Sequence, residues 1–369
     1  MRELRLTAFR SYAHLDVALA AGVNVLYGPN GAGKTNLLEA VSWLAPGRGL
    51  RRARVDEVRA RGSDTPWGVA ARLETQVGPV ALGVGQDPAH STRRLVRIDG
   101  QTATATQLAR TLTINWLTPA QDRLFTGPES ERRKFLDRFT LTHTPAHGTN
   151  TARFEALRAE RNRLLGEGLA DAAWYRALEA DLARYGSLVA AARVNTVELL
   201  REEIASRPEG AFPRAEIGLE GFAEDRFSAG ASLDEVRLAL EAALCDGRRE
   251  ALRARRTLIG PHRTKFHVVH APKSMPAEAC STGEQKALLI GLVLAHARSH
   301  SDASGRWGTP VLLLDEIAAH LDSSRRMGLA RELRDLGGQV LLTGTDRNLF
   351  EAFESARMME VRDGEVREA

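Results

Sequence analysis

The stretch on which the fold turns is Val23-Asn24-Val25-Leu26-Tyr27 followed by Gly28-Pro29-Asn30-Gly31-Ala32-Gly33-Lys34-Thr35 and then Asn36 to Leu44. The first run is short and apolar and predicts a buried strand; the last carries apolar residues at helical spacing and predicts a helix. Between them, residues 28–35 satisfy G-x-x-x-x-G-K-[ST] at every fixed position, in the strand-then-helix context that the pattern needs. Glycines there let successive backbone N–H groups turn inward around a phosphate, and the helix N-terminus adds partial positive charge. Lys34 has the reach for β- and γ-phosphates, and the Thr35 hydroxyl is a hard oxygen suited to Mg²⁺. Gly28, Pro29, Asn30, Gly31, Ala32, Gly33, Lys34 and Thr35 are therefore expected to cradle a nucleotide.

Working outward, residues 1–28 predict strands. Leu4 and Leu6 alternate with polar neighbours, as do Leu15, Val17 and Leu19, and Ala21-Gly22 turns the chain into the strand at Val23. Far downstream, Val311-Leu312-Leu313-Leu314 is apolar at every position, as in a parallel strand buried on both faces, and it ends in Asp315-Glu316. Ligands in such sheets sit beyond the carboxyl ends of the strands. Asp315 is thus placed to hold Mg²⁺ and Glu316 to accept a proton from an attacking water. Ser281-Thr282-Gly283-Glu284-Gln285 opens a helix running to about Ala297, with Ser281 and Glu284 as a capping box. A capped N-terminus beside Gly283 is well built to offer N–H groups and a hydroxyl to a γ-phosphate.

The middle of the chain is helical in pattern. Phe154, Leu157, Leu164 and Leu165 share one face; after Gly166 and Gly168, Trp174, Leu178, Leu182, Tyr185 and Val189 share another, which predicts a helical hairpin. Ser232 with Glu235 opens a further helix that leads into the arginine-dense stretch Arg248 to Arg256. The last third returns to alternating strands and helices. These patterns predict an α/β fold in which residues 1–125 and 256–369 form one body and residues 126–255 an inserted helical lobe.

Across 369 residues, 43% apolar and 27% charged composition excludes a mainly disordered chain, and the net charge of +4 is mildly basic. Only five of the 51 basic residues are lysine. Two cysteines, Cys245 and Cys280, cannot build a disulfide framework, which points to a reducing cytoplasm. The start MRELRLTAFR is charged where a signal peptide needs an apolar run, and the longest apolar stretch, Ala287 to Ala295, is too short to cross a bilayer. Arginines cluster at Arg48, Arg51, Arg52 and Arg54, at Arg93, Arg94 and Arg97, and at Arg248, Arg249, Arg253, Arg255 and Arg256. Such clusters suit sequence-independent binding to DNA phosphates. Neither zinc-finger spacing nor an aromatic stacking platform appears, so base-specific readout is not expected.

Taken in order, AFRSY (8–12), GPNGAGKTNLLEAV (28–41), FTGPESERRKFLDRF (125–139), LIGPHRTKF (258–266), STGEQKALLIGLVLAHA (281–297), LLLDEIAAHLD (312–322) and TGTD (343–346) resemble the ABC-type ATPase heads of SMC proteins. Within that superfamily the chain is similar to the RecF family of bacterial recombination mediators. GPHR after a basic helix and RRKFLD after a Gly-Pro turn carry that narrower likeness.

The resemblance implies an ABC/SMC-type head with mixed sheets and an inserted, mainly helical lobe. It implies a slow, DNA-dependent ATPase using ATP and Mg²⁺ that forms a homodimer around two ATP molecules. In it Ser281 would touch a γ-phosphate in trans, Asp322 would lie near the seam, Arg10 would lie close to the nucleotide, and Gln121 would be a lid-loop glutamine at the metal. The implied role is a clamp on duplex DNA near single-strand gaps or junctions, loading recombinase with RecO- and RecR-type partners and with no membrane component. Three positions depart from the pattern: Glu284 stands where glutamine is usual, Thr264-Lys265 where two acids often stand, and Thr345-Asp346 where transporter ATPases have histidine. An alternative reading is a transporter-coupled ATPase, but such chains place the signature roughly a hundred residues after the phosphate loop, and Ser281 follows Lys34 at more than twice that separation. A nucleotide-switched DNA structural protein that no longer hydrolyses ATP is the other, against which Glu316 argues.

Overall fold

The computed structural model describes residues 1–75, 78–168, 171–207, 210–302 and 310–369. In chain order the strands are β1 (Glu3–Phe9), β2 (Tyr12–Ala18), β3 (Val23–Tyr27), β4 (Gly68–Thr75), β5 (Gly78–Gln86), β6 (Arg94–Ile98), β7 (Gln101–Thr102), β8 (Ile114–Leu117), β9 (Ala215–Glu220), β10 (Lys265–His270), β11 (Met275–Pro276), β12 (Val311–Leu314), β13 (Val340–Gly344), β14 (Arg357–Arg362) and β15 (Glu365–Glu368). The helices are α1 (Lys34–Ser42), α2 (Ala105–Thr111), α3 (Glu129–His143), α4 (His147–Glu167), α5 (Ala172–Ser206), α6 (Phe222–Ser228), α7 (Leu233–Asp246), α8 (Arg248–Ala254), α9 (Thr282–Asp302) and α10 (Ser323–Leu336).

Two compact units result. Met1–Arg123, Arg207–Arg214 and Cys280–Ala369 form the first; Leu124–Ser206 and Ala215–Ala279 form the second. This division departs from the expected boundaries in one large respect. Residues 256–279 lie in the second unit because β10 pairs antiparallel with β9 over its whole length, from Lys265↔Glu220 to His270↔Ala215. Arg207–Arg214 also returns to the first unit, where Phe212 and Pro213 approach Gly291, Ala211 approaches Gly328, and Arg207 pairs with Glu332.

The first unit holds two sheets. One is antiparallel, in the order β2-β1-β4-β5-β6-β7, with the alternating burial that a one-sided sheet demands. The other has the order β15-β14-β3-β13-β12-β8, and apart from the edge strand β15 all its neighbours run parallel. Every residue of β12 and β13 is buried, which explains the unbroken apolar run of β12 and the Val340-Leu341-Leu342 run that opens β13 before the buried Thr343. Helix α1 contacts both sheets, through β1 on one side and β8 and β13 on the other. Its Leu37, Leu38 and Val41 share one core with Leu6, Phe9 and Trp67 and with Leu313 and Leu341.

In the second unit α4 and α5 form the expected hairpin, closed at Gly168 in the left-handed region. Phe154 meets Leu182 and Leu240; Leu164 and Leu165 meet Tyr175 and Leu178. Trp174 is not on the buried face: it is 43% exposed and its neighbour Tyr175 fills that place. Two ion-paired knots lie inside. Arg161 donates to Glu179, to the Thr257 hydroxyl and to the Leu244 carbonyl. Arg193 grips Asp137 with two nitrogens and also reaches the Pro261 carbonyl and the Thr264 hydroxyl.

Candidate nucleotide-hydrolysis site

The parallel order of β3, β13 and β12 carries three segments out of the sheet at the same edge: the phosphate loop after Tyr27, Asp315-Glu316 after Leu314, and Thr345-Asp346 beyond Gly344. Within the loop, Gly28, Gly31 and Gly33 have φ of 149°, 83° and 111°. A Cβ on Gly28 would lie 2.2 Å from the Val361 carbonyl oxygen, and one on Gly33 would lie 2.7 Å from the Tyr12 hydroxyl. Only glycine satisfies both the backbone and the space. The Tyr12 hydroxyl donates to the Gly33 carbonyl at 3.1 Å, fixing the loop where α1 begins.

Lys34 is buried, and its Nζ donates to the carbonyls of Gly28 and Pro29 at 2.6 and 2.8 Å. Burial lowers its pKa, against the opposing pull of Glu316 and Asp315. Thr35 Oγ1 donates to Asp315 at 3.0 and 3.2 Å across 280 positions of sequence. Asp315 is raised above the ordinary carboxylate range by burial, opposed by hydrogen bonds from Thr343 and Thr35, while Glu316 raises it further and Arg51 opposes. Thr343, fully buried, donates to Asp315 Oδ1 at 2.7 Å and accepts from the Glu316 N–H at 2.9 Å. Glu316 itself has φ of 52°, unusual for a side chain larger than Asn or Asp, and this bends the chain sharply where β12 ends.

The donor set fits Mg²⁺. A threonine hydroxyl and a carboxylate, both hard oxygens, converge beside a lysine, and Mg²⁺ bound to substrate phosphates needs one or two carboxylates and not an all-protein cage. No cluster of three His, Cys, Asp or Glu able to hold a metal exists among the described residues. The glycine cradle and Lys34 at the head of α1 equally suit a phosphate chain.

Other expected residues are placed as follows. Arg10 forms a two-pronged pair with Glu39 of α1 at 2.6 and 3.0 Å and donates to the Glu57 carbonyl, so it braces the phosphate-loop helix. Arg51 adds a second cation to the same buried Glu39 at 2.8 Å. Gln121 follows β8 at the same sheet edge, yet its side-chain oxygen accepts from the Thr118 N–H at 3.1 Å and closes its own turn. Ser281 and Glu284 form the expected capping box, Ser281 Oγ lying 2.8 Å from Glu284 Oε2. That gives Glu284 a local task at the position where glutamine was expected. Ser281 and Gly283 are exposed, and no contact joins them to Lys34 among the described residues. Asp322 caps α10 through the Arg325 N–H at 2.7 Å, and Asp346 caps a short turn through Asn348.

The arginine clusters separate on inspection. Arg94 is a structural residue: its guanidinium donates to the carbonyls of Gly47, Ala45 and Trp43, and burial pushes its pKa down to about 10. Arg248 is paired with Glu179 and Arg54 with Asp56. Arg93 lies 3.8 Å from Asp87. Helix α8 ends before Arg255, whose φ is 53°, so that stretch is not helical throughout. Arg48, Arg52, Arg249, Arg253, Arg255 and Arg256 are exposed. Sequence reasoning did not foresee Thr343, Glu39 or Tyr12. An acid within the apolar helix α1 was the one local hint, for Glu39.

The RecF/RecN/SMC N terminal domain family matches residues 1–367. The DNA replication and repair protein RecF of Brucella suis is 46% identical over 369 residues, covering 99% of this chain and 95% of its own. That of Mesorhizobium japonicum is 47% identical over 368 residues, covering 99% and 96%. Among solved structures, the recombination mediator protein RecF-ATPrS in the RecFOR pathway superposes with a TM-score of 0.84 at 22% identity, covering 100% of this chain and 97% of that one. An SMC head bound to the C-winged helix domain of ScpA follows at 0.58 and 17%, covering 100% and 96%. The fold is accordingly that of an ABC/SMC-type ATPase head with an added helical lobe, and the chain belongs to the RecF family.

Proposed function

We propose that this chain is an ATP-dependent DNA-binding clamp of recombinational repair and replication restart, a slow DNA-stimulated ATPase that dimerises on ATP and helps load recombinase at single-strand gaps. The observation that carries the reading is the convergence of Thr35, Asp315, Thr343 and the Glu316 backbone at the end of the phosphate loop. RecF proteins named for DNA replication and repair, related at 46–47% identity over nearly the whole chain, support the biological setting. The same relationship supports a cytoplasmic location and partners of the RecO and RecR type. No helix among the described residues is long and apolar enough to cross a membrane.

Loop N–H groups and Lys34 bind and orient the triphosphate. Thr35 and Asp315 would hold Mg²⁺, which would supply positive charge against the phosphate charge that builds during transfer. Glu316 takes the proton of the water that attacks the γ-phosphorus as the bond to the β-bridging oxygen breaks, giving ADP and phosphate. Ser281 and Gly283, exposed at the head of α9, are free to complete the site of a second subunit. ATP then bridges two copies, and hydrolysis removes the bridge.

The test combines light scattering with DNA binding under ATP, ADP or no nucleotide, on single-stranded, duplex and gapped DNA across a salt series. ATP with DNA is expected to give dimers and the tightest binding, and Lys34→Arg and Ser281→Arg to abolish both. Wild-type protein that stays monomeric with ATP and DNA overturns the clamp.

A further inference from the structure

Both acids of the site meet one hydroxyl, that of the first threonine of TGTD (343–346), to which the sequence alone gave no role. Thr343 lies on β13, the strand between the one that leads into the phosphate loop and the one that ends in the acids. Its backbone is in register with Leu26 of β3, and the residue before it with Leu314 of β12. The hydroxyl is completely buried and uses both of its capacities, donating to Asp315 Oδ1 at 2.7 Å and accepting from the Glu316 N–H at 2.9 Å. Asp315 Oδ1 therefore receives Thr343 from one side and Thr35, at 3.0 Å, from the other.

The second bond bears on an energetically unfavourable bend. A glutamate at φ 52° persists only where its surroundings hold it. Here the bend ends the strand direction at Leu314 and sends the chain after Asp315 onto a new course. The N–H of the bent residue is anchored by Thr343 Oγ1. One hydroxyl thus sets the rotation of the metal-side carboxylate and the backbone from which the proton acceptor projects.

We propose that Thr343 is a positioning residue for ATP hydrolysis, holding Asp315 for Mg²⁺ and Glu316 for the attacking water. The proposal rests on the hydrolytic reading above. It distinguishes Thr343 from Thr345 and Asp346, which are exposed and stand nearer the position of the transporter histidine. Groups that orient metal ligands typically matter by about 10–100-fold in metal affinity or activity when removed.

Thr343→Val keeps the branched shape and removes only the hydroxyl; Thr343→Ser restores it. Two readouts are needed. The first is equilibrium binding of a fluorescent ATP analogue with and without Mg²⁺. In Thr343→Val the affinity gain that Mg²⁺ confers is expected to shrink by roughly 10-fold or more while Mg²⁺-free binding holds, and Thr343→Ser is expected to recover most of the gain. The second is steady-state turnover, where kcat is expected to fall about 10–100-fold and KM for ATP to rise in step with the lost Mg²⁺-dependent affinity. A wild-type Mg²⁺ gain and kcat in Thr343→Val overturn the proposal. So does an equal loss of Mg²⁺-free binding, which marks a role in folding alone, and so does a Thr343→Ser variant no better than Thr343→Val. If wild-type protein neither hydrolyses ATP nor responds to Mg²⁺, it is the hydrolytic reading that fails.

Discussion

Arginine in this chain has two destinations, and they are separable by what each guanidinium touches. Arg94 spends its donors on three main-chain carbonyls of the segment following α1 and stacks 5.4 Å from the centre of the Trp43 ring. Arg249 and Arg253 stand exposed on α8. Arg94→Ala leaves those carbonyls without their charged donor, so a loss of about 2–4 kcal/mol is expected from urea unfolding. The salt dependence of DNA binding by the remaining folded protein should be unchanged. Arg249→Ala and Arg253→Ala should leave stability within about 0.5 kcal/mol and each lower the slope of log K against log salt by about 1. The opposite pattern, with Arg94 setting the slope, would exclude α8 from the DNA surface. Spacing along the chain could not make this division. Arg94 and its carbonyl partners lie some fifty positions apart, and nothing in RRLVR tells which arginine turns inward.

Among the elements, legibility followed the range of the interactions. The capping boxes Ser232–Glu235 and Ser281–Glu284 each span four residues and stand as expected. Strands β3 and β12 were equally plain, since burial on both faces leaves β12 an uninterrupted apolar run and β3 an apolar run broken only by the buried Asn24. Pairing was not legible: the register of β10 on β9 moved residues 256–279 into the second unit, and a local pattern carries no information about a partner more than forty positions away. Nor was the fate of GPHR. His262 packs against the Phe154 ring at 5.9 Å, and one ring nitrogen lies 3.1 Å from the Thr257 carbonyl oxygen. Its Nδ1 is buried with no hydrogen-bond partner.

Burial, reinforced by the charges of Arg158, Arg263 and Arg133 and opposed by the bond to Thr257, brings the His262 pKa from 6.5 down to about 4. The unfolded chain therefore takes up this proton first. The stability linked to His262 is whole above pH 6.5 and is lost as pH falls toward about 4, at most about 3.5 kcal/mol at 1.4 kcal/mol per unit. Urea midpoints measured across this window should decline, and His262→Gln should flatten the decline. An equally steep fall in the variant would assign it to other groups. Asp137 adds little to this decline: Arg193 and His147 outweigh its burial and hold its carboxyl well below the usual range, so its share of the stability is lost only as pH falls below the ordinary carboxylate value of 3.8.

For the molecule as a whole, the first unit is assembled from three separate stretches of chain. Its site is shared between the first and last of them, as the Thr35–Asp315 bond shows. A chain ending before Val311 retains the whole G-x-x-x-x-G-K-[ST] motif but lacks both strands that flank β3. Such a fragment is expected to bind a fluorescent ATP analogue at least about 100-fold more weakly than the full chain, because the loop conformation is held from β13, β14 and the acids. Near-normal binding by the fragment would mean that the loop forms on its own.

The same discontinuity has a consequence during synthesis. A ribosome makes β3 early, yet β13 emerges only after the second unit has been completed. At about 5–20 residues per second the nascent phosphate-loop strand waits roughly 15–60 s for its neighbours. Over that interval Val25 and Leu26, both fully buried in the finished protein, have no sheet to enter. The inserted unit, whose own segments are complete by Ala279, can fold in the meantime, so the order of translation makes the lobe first and the catalytic half last.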